Sequence, residues 1–353
     1  AAHFGLEAED LSREDYEPHE RVVVTLSQGG YSKRVPGDIY RSQHRGGKGV
    51  MGMTIREDDP IRHFLVVDTH DTLLFFTDRG RALPLKTYEL RPDTSRGTRG
   101  VPLINLVPIG DQERVNAVIG VVSLDKSDAF LLMVTRQGRV KRLALNSIAN
   151  IRKSGLIVMA QRADDELVAA RLCSGDDDAI MVSAQGTSIR FPVSEVTAHQ
   201  RGAGGIRGMS LRPGDAVVAA DIVSPDGKLL VGSKNGHGKL TSLGSYRQQG
   251  RGGKGIMTFR VTDRTGPVAA AQVISDSTEV YLVSQQAIVL RTSLSEISSM
   301  GRATQGVRIF RLEGDDAVAC IACVGDLDGG GKRGPGDGAA GGDDGQTPPD
   351  AGE

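Results

Sequence analysis

The stretch TRQGRVKR (residues 135–142) places a glycine turn between an apolar run and a short cationic segment, a pattern typical of a β-hairpin. Variants of it recur five more times: SQGGYSKR (27–34), TDRGRALPL (77–85), SAQGTSIR (183–190), SKNGHGKL (233–240) and SQQAIVLR (284–291). The period is close to 50 residues with one longer interval, and self-similarity on this scale indicates an array of similar supersecondary units. The sequence therefore predicts six hairpins.

The predicted turns differ in one residue type. Five of them carry a glycine, which adopts positive φ without steric cost. Ala287 stands one place past the sixth expected position, so we expect a turn without positive φ there.

Each repeat is predicted to contain four strands, because short apolar runs alternate with turns. For the second repeat these are HFLVV (63–67), TLLFFT (72–77), RALPLK (81–86) and VPLINLV (101–107). The first repeat has no leading strand, since VVVTLS (22–27) already matches TLLFFT, whereas AVACIACV (317–324) is a surplus strand at the end. We expect this last strand to complete the first unit and close a ring, which leaves few exposed sheet edges. The predicted fold is all-β, a six-bladed propeller-like disc.

Composition agrees with many short strands and excludes several classes of protein. The 353 residues include no Trp, 4% aromatics and 46 Gly. No apolar run approaches the roughly 20 residues that span a bilayer, and the sequence does not open with a signal peptide pattern, so we expect a cytoplasmic protein. Of the three Cys, Cys320 and Cys323 would point to opposite faces of a strand, which predicts core-packed thiols and no metal site.

Charge is distributed unevenly along the chain. Residues 1–20 hold seven acids and one base, and residues 325–353 hold seven acids and two bases, which leaves 40 basic and 30 acidic residues in 21–324. We therefore predict an acidic lead-in (1–20), a basic six-bladed body (21–324) and a disordered acidic tail rich in Gly and Pro (325–353). A basic body is compatible with a polyanionic partner or with an ordinary mixed surface.

A second recurrent marker follows each hairpin by about fifteen residues. It is a glycine-rich cationic loop that opens into an apolar strand: QHRGGKGVM (43–51), SRGTRGVP (95–102), NIRKSGLIV (150–158), QRGAGGIRGM (200–209), QGRGGKGIM (249–257) and GRATQGVRIF (301–310). Each loop offers at least two cations and no acid: Arg45 and Lys48, Arg96 and Arg99, Arg152 and Lys153, Arg201 and Arg207, Arg251 and Lys254, Arg302 and Arg308. A ring of repeats would place these loops along one rim.

The rim loops have the chemistry of phosphate-backbone binding. Adjacent glycines let the backbone approach a ligand, and amide N–H groups in such turns can hold a phosphate oxygen. Aromatic residues that would stack single-stranded bases are absent from the loops, so duplex DNA bound without marked sequence specificity is the expected ligand. The Gly-Gly-Lys triplets lack the spacing and the following Ser or Thr of a nucleotide-binding P-loop, and no catalytic motif is present. We expect no cofactor, no metal and no catalytic residue.

The heptad at residues 43–49, QHRGGKG, resembles the gyrase A box, Q-R-R-G-G-K-G, of the C-terminal domain of the bacterial DNA gyrase A protein. The resemblance covers nearly the whole chain: AEDL (8–11), VVVTLSQGGY (22–31), VSEV (193–196), VTDRTGPVAAAQV (261–273), LSEI (294–297) and GRATQGV (301–307). It assigns the box to Gln43, Arg45, Gly46, Gly47, Lys48 and Gly49 on the first blade. His44 departs from the family's Arg, which removes a charge at neutral pH.

The resemblance implies a β-pinwheel whose blades exchange strands. It also implies a non-catalytic domain that wraps DNA into a positive crossover, which the full enzyme converts to negative supercoils with ATP. The implied partners are the N-terminal part of the gyrase A protein and the gyrase B protein in an A2B2 assembly, with the isolated domain a monomer and no membrane involved. Two alternatives stay open: the corresponding C-terminal domain of topoisomerase IV, and a propeller that serves as a protein-interaction scaffold.

Two hypotheses go beyond this resemblance. The heptad is repeated as QGRGGKG in Gln249, Gly250, Arg251, Gly252, Gly253, Lys254 and Gly255, and we expect this second loop, four blades from the first, to contact DNA. The alternative is that this second loop is only a structural turn that closes its blade. The acidic tail is expected to lie transiently on the basic rim and compete with DNA, or else to act only as a solubilising segment.

Overall fold

The computed structural model describes residues 16–40, 44–51, 59–93, 95, 98–126 and 128–325. Within them the chain forms six four-stranded antiparallel sheets, which we number as blades 1 to 6 by the order of their hairpins. The predicted lead-in and tail lie largely or wholly outside the described residues. Among the described residues, no helix is long and apolar enough to cross a membrane.

Each blade contains a hairpin, an inner strand and a two-residue outer strand. The hairpins of blades 1 to 6 are β1 (Arg21–Ser27) and β2 (Tyr31–Pro36), β5 (Thr72–Thr77) and β6 (Arg81–Lys86), β9 (Phe130–Thr135) and β10 (Arg139–Ala144), β13 (Asp178–Ser183) and β14 (Thr187–Pro192), β17 (Lys228–Ser233) and β18 (His237–Ser242), and β21 (Ser277–Ser284) and β22 (Ile288–Ser293). The inner strands, in the same order, are β4 (Ile61–Asp68), β8 (Val115–Val121), β12 (Leu167–Cys173), β16 (Val217–Ile222), β20 (Val268–Ile274) and β24 (Val318–Gly325). The outer strands are β7 (Val101–Pro102), β11 (Leu156–Ile157), β15 (Ile206–Arg207), β19 (Ile256–Met257), β23 (Val307–Arg308) and β3 (Val50–Met51).

Short 3₁₀ turns interrupt the connections. Six of them follow directly after the hairpins, at Gly37–Ile39, Thr87–Glu89, Leu145–Ile148, Val193–Glu195, Leu243–Ser245 and Leu294–Glu296, and one lies at Leu103–Asn105.

The strands are exchanged between blades, as the pinwheel resemblance implied. The outer strand that follows each hairpin in sequence pairs with the hairpin of the preceding blade, so that β7 pairs with β2 and β11 with β6. The predicted grouping of four strands within one repeat is therefore wrong. HFLVV belongs to β4, which pairs with β1 of the first hairpin and not with TLLFFT of the second.

Ring closure also differs from the prediction. The C-terminal strand β24 completes its own blade by pairing with β21. The ring is closed instead by β3, whose Val50 and Met51 pair with Val289 and Ile288 of β22 in blade 6. The six inner strands follow one another around a central channel, and β24 lies beside β4. The first heptad is consequently on blade 6 and not on blade 1, and the second is on blade 4; the strand exchange moves both loops by one blade, so their separation around the six-bladed ring is unchanged.

The hydrophobic core consists of six clusters, each between neighbouring blades. One cluster joins Phe76 of blade 2 to Met133 of blade 3, and another joins Val23 of blade 1 to Tyr281 of blade 6. Because both faces of a blade are buried in this way, the hairpin strands read as continuous apolar runs. This packing fixes the blades next to one another and presents the outer strands at the rim.

The sixth hairpin turn corrects a prediction. Ala287 has φ of 63°, and its N–H donates to the Ser284 carbonyl at 3.0 Å, as Gly138 does to Thr135 at 3.0 Å. It therefore occupies the same place as the turn glycines. The left-handed conformation is unfavourable for a residue with a Cβ, but the Ala287 side chain is fully buried in the cluster between blades 6 and 1.

Candidate nucleic-acid interface

The six cationic loops occupy equivalent positions at the outer edge of the disc, because each one leads into an outer strand. Five of them end on a glycine with positive φ directly before that strand: Gly49, Gly100, Gly155, Gly255 and Gly306. At Gly255 a Cβ would lie 2.3 Å from the Ser188 carbonyl oxygen, so only glycine fits this close approach of loop and blade.

The first heptad is described from His44 to Gly49, and Gln43 lies outside the described residues. A carboxylate from the 3₁₀ turn of blade 6 holds its start: Glu296 Oε2 accepts the Arg45 N–H at 2.6 Å, and Oε1 lies 2.7 Å from His44 Nδ1. The Arg45 amide and His44 keep the pKa of Glu296 below its usual range. The loop is thus anchored through its backbone while both of its cationic side chains remain exposed.

Two further bonds dock the first heptad on blade 5. The Gly46 N–H donates to the Ile309 carbonyl at 2.8 Å, and the Gly47 carbonyl accepts from the Arg311 N–H at 3.3 Å. Gly46 has φ of 72°, which the turn requires.

The second heptad repeats the backbone bonds of this anchoring, and its Arg251 side chain is also bonded, with Nε and Nη1 donating to the Glu195 and Arg207 carbonyls at 3.0 Å each. Glu195 of the blade 4 turn accepts the Arg251 N–H through Oε2 at 2.8 Å. The Gly252 N–H donates to Gly208 at 2.6 Å, and the Gly253 carbonyl accepts from Ser210 at 2.9 Å. The two copies therefore share a backbone geometry as well as a sequence.

The charged surroundings of the two heptads differ. Lys48 Nζ forms an ion pair with Glu313 Oε1 at 2.7 Å, and this pair lowers the pKa of Glu313. The residue at the corresponding place beside the second heptad, five positions after the outer-strand arginine, is Arg212. Lys254 is exposed, and no hydrogen bond or ion pair of its side chain is found among the described residues. The second heptad thus presents more uncompensated positive charge.

Around the rim the loops are anchored in two alternating ways. On blades 2, 4 and 6 the 3₁₀ turn ends in a glutamate that binds the loop, and Glu89 does so through an ion pair with Lys153 at 2.8 Å. On blades 1, 3 and 5 the loop is held from inside by a buried lysine at the third position of the second hairpin strand: Lys33, Lys141 and Lys239. The corresponding residues of blades 2, 4 and 6 are buried and apolar: Leu83, Ile189 and Leu290.

Lys141 shows how the buried lysines work. Its Nζ lies 2.7–2.8 Å from the carbonyl oxygens of Val158, Gln200, Arg201 and Ala203, which share its three N–H donors. Lys239 makes the same kind of contact with Gly301 and Arg302 at 2.6 and 2.7 Å. Burial lowers the pKa of Lys141 and of Lys239 to about 8, so both ammonium groups are protonated at neutral pH. These lysines are structural clamps.

The other predicted rim cations are not equivalent to one another. Arg152, Arg201, Arg207 and Arg308 are exposed. Arg99 is half-buried, lies 3.4 Å from the centroid of the Tyr31 ring and 3.7 Å from a carboxylate oxygen of Asp59.

Two further predicted rim cations are not among the exposed, described residues. Arg302 is half-buried and donates to the Met257 carbonyl at 2.9 Å. Arg96 lies outside the described residues. Arg99 and Arg302 therefore support the rim more than they extend from it.

The cationic loops contain no acid in sequence, but acids lie beside them in the fold. Folding brings Glu89, Glu195, Glu296 and Glu313 to the loops from other parts of the chain. The segments VSEV and LSEI contained two of these glutamates without indicating their partners. The buried lysines were visible in the hairpin patterns as cations at every second repeat, but their burial was not predicted.

The central channel shows no second candidate site. It has a volume of about 490 Å³ and is lined by the inner strands, where Arg171 and Asp221 form an ion pair at 3.1 Å. Cys320 packs with the cluster between blades 6 and 1 and Cys323 with the one between blades 5 and 6, which confirms that they face opposite ways. Burial raises the pKa of the Cys320 thiol to about 12. Within the described ranges no group of His, Cys, Asp and Glu could hold a metal ion.

Comparisons with known proteins agree with the fold. The sequence model of the family described as DNA gyrase C-terminal domain, beta-propeller, matches residues 21–68, 71–119, 129–174, 177–224, 227–275 and 278–324. Each segment runs from a hairpin to the inner strand that pairs with it, as in the observed blades.

Individual DNA gyrase A proteins and a solved structure are also similar to this chain. The chain is 40% identical over 318 residues to the DNA gyrase A proteins of Staphylococcus aureus strains MRSA252 and NCTC 8325, an alignment that covers 90% of this chain and 36% of each relative. It spans about a third of their length. A solved DNA gyrase A C-terminal domain matches with a TM-score of 0.79 and 28% identity, covering 86% of this chain and 99% of that one.

The C-terminal domain of a DNA topoisomerase IV matches with a TM-score of 0.65 and 25% identity, covering 87% of this chain and 94% of that one. The family match, with its six segments, is to the gyrase domain. The chain belongs to the DNA gyrase C-terminal domain family.

Proposed function

We propose that this chain binds duplex DNA through its phosphate backbone and bends it around the rim of the disc without marked sequence specificity. The observation that carries the proposal is the pair of heptad loops on blades 4 and 6, which share one set of backbone hydrogen bonds and keep their cations exposed. Their glutamate anchors bind main-chain amides, and the arginine and lysine side chains are exposed to solvent, although Arg251 also donates to two carbonyls and Lys48 pairs with Glu313.

The chemistry of the loops suits phosphates. Exposed Arg and Lys side chains neutralise phosphate charge and release counterions, and such contacts position a duplex without reading its bases. Bending 20–30 base pairs by 40–90° costs about 1–6 kcal/mol, so contacts must be spread along the path. Arg152, Arg201, Arg207 and Arg308 provide exposed cations between the two heptads and beyond them.

Within a gyrase, we propose that the wrapped segment forms a positive crossover. The rest of the gyrase A protein passes one duplex through another, and the gyrase B protein hydrolyses ATP, so that negative supercoils result. This domain supplies the wrap and no catalytic group. The proposed assembly contains two copies of each protein in the bacterial cytoplasm, and the isolated domain is a monomer without a cofactor.

A salt titration tests the proposal against a protein-interaction scaffold. The logarithm of the DNA association constant should fall with the logarithm of salt concentration by about 0.9 for each phosphate that is neutralised. Six or more contacts therefore predict a steep slope. An affinity that hardly changes between low and moderate salt would contradict backbone wrapping.

A further inference from the structure

In five of the six outer strands the second residue is the exposed one, whereas in β7 the first residue, Val101, is exposed and Pro102 is half-buried. The chemistry of the second residue alternates around the rim. On blades 6, 2 and 4 it is a large apolar residue that is about half exposed: Met51 (54%), Ile157 (55%) and Met257 (50%). On blades 1, 3 and 5 it is Pro102, Arg207 and Arg308, of which the two arginines are exposed. These three half-exposed residues thus lie on the blades whose loops are anchored by glutamate, while the outer strand of blade 1 exposes a smaller fraction of Val101, one strand position earlier.

The core does not require these apolar side chains. On these three blades the first residue of the outer strand performs the packing, because Val50, Leu156 and Ile256 each contact a buried cluster between blades. The second residue faces solvent, where blades 3 and 5 carry arginine in the same strand position. A single exposed apolar residue needs no explanation, but three at equivalent places on alternate blades form a pattern.

Each of these residues lies two positions after the last glycine of a cationic loop: Gly49, Gly155 and Gly255. An apolar side chain beside cations complements a surface on which apolar groups lie between phosphates. Duplex DNA presents such a surface in its minor groove, where deoxyribose rings line the walls between the two backbones. Proteins that bend DNA often place Met, Ile, Leu, Phe or Pro against that groove.

We propose that Met51, Ile157 and Met257 contact the minor-groove sugars of the wrapped duplex and alternate with phosphate contacts made by Arg207 and Arg308. This inference rests on the proposed function and adds a second kind of contact to it. A smoothly bent duplex turns its minor groove toward the protein once in about 10 base pairs. Contacts with the minor groove must therefore recur at intervals along the rim, and the apolar residues on alternate blades recur in this way.

The experiment compares two sets of substitutions in the 353-residue chain. The test variant is Met51→Ala/Ile157→Ala/Met257→Ala, and the matched control, at the same strand position on the other blades, is Arg207→Ala/Arg308→Ala. Affinity for a mixed-sequence linear duplex is measured at several salt concentrations. Circular dichroism and thermal melting establish that both variants fold, and a Met51→Leu/Met257→Leu variant preserves the apolar contact.

The two sets should lose affinity in different ways. The apolar variant is expected to bind about tenfold more weakly, equivalent to about 1.4 kcal/mol, with an unchanged salt slope because no phosphate contact is lost. The arginine variant is expected to lower the slope by about two, since each phosphate contact contributes about 0.9. Hydroxyl-radical cleavage should show minor-groove protection that the apolar variant loses and the leucine variant retains.

The outcomes separate the two proposals. Unchanged affinity and protection in the apolar variant would overturn this inference and leave the backbone-wrapping proposal intact, as would a loss seen only as a reduced salt slope. A wild-type chain that shows no salt-dependent binding would overturn the proposed function and this inference together.

Discussion

The rim of the disc contains two kinds of loop, and they differ in where their anchor lies. On blades 1, 3 and 5 a buried lysine binds loop carbonyls from inside, as Lys141 and Lys239 do. On blades 2, 4 and 6 a glutamate binds the loop from the neighbouring surface, as Glu195 and Glu296 do. The first arrangement uses cationic charge to build the fold, whereas the second leaves the loop's own cations exposed. Counting cations in a sequence does not distinguish these uses.

The largest expected effect concerns the buried clamps. Replacing Lys141 by Met removes the donor to four carbonyls and should lower the free energy of unfolding by about 3 kcal/mol, since buried unpaired polar groups cost about 1–3 kcal/mol each and water will reach some of them. Chemical denaturation measures the loss. Leu83→Met, at the same strand position on blade 2, is the control and should cost less than about 1.5 kcal/mol. Equal losses would show that the clamp contributes nothing.

Substitutions in the two heptad loops should weaken DNA binding and affect stability much less than substitution of a buried lysine. Arg251→Ala/Lys254→Ala on blade 4 and Arg45→Ala/Lys48→Ala on blade 6 are each expected to weaken duplex binding about tenfold and to lower the salt slope by about two. Thermal stability should fall only slightly, more for the blade 4 pair because Arg251 also donates to two carbonyls, since the glutamate anchors bind the arginine amides, which alanine retains. Fluorescence titrations at several salt concentrations give both quantities. If the blade 4 pair leaves affinity and slope unaltered, the second heptad is only a structural turn.

A smaller effect tests the difference between the two heptads. Glu313→Gln removes the carboxylate that pairs with Lys48 and should raise affinity about twofold to threefold, the range of an exposed ion pair. Arg212→Glu places an acid beside the second heptad and should lower affinity by a similar factor. If both variants changed the affinity in the same direction, the assignment of Glu313 and Arg212 to equivalent positions beside the two heptads would be contradicted.

A pH dependence is a separate test of the clamps. Lys141 and Lys239 have a pKa of about 8 when folded, below the ordinary 10.5 of the unfolded chain. Between these values the unfolded chain binds more protons, so this contribution raises stability as pH increases from about 8 to 10.5. The difference in unfolding free energy between wild type and Lys141→Met should vary across that window. A constant difference would indicate that Lys141 titrates normally.

Much of the fold could be predicted because its signals are local. The six hairpins follow from turn residues and apolar runs that lie within ten residues of one another. The prediction that four strands of one repeat form one blade was wrong. The exchanged outer strands have only two residues, such as Val50–Met51, and contain no sequence pattern that indicates which strand they pair with. Ala287 was mispredicted since its packing against a neighbouring blade outweighs its backbone preference.

The candidate site was predicted in part, for a similar reason. The glycines and cations of the loops are contiguous in sequence, so their clustering at the rim was foreseeable. The partners of these cations are distant: Glu296 is 251 residues from Arg45, and Glu313 reaches Lys48 only because the ring closes between the first and last repeats. Which cations are exposed depends on such contacts, and no local pattern encodes them.

The measurement that tests the central claim most directly is the change in linking number when nicked circular DNA is ligated in the presence of this chain. The proposed positive crossover predicts a positive shift with the wild-type chain. Two anchoring loops on alternate blades predict a clearly reduced shift with Arg251→Ala/Lys254→Ala, comparable to the reduction with Arg45→Ala/Lys48→Ala. A full shift in the blade 4 variant, with its affinity intact, would contradict the claim that DNA is held at both heptads.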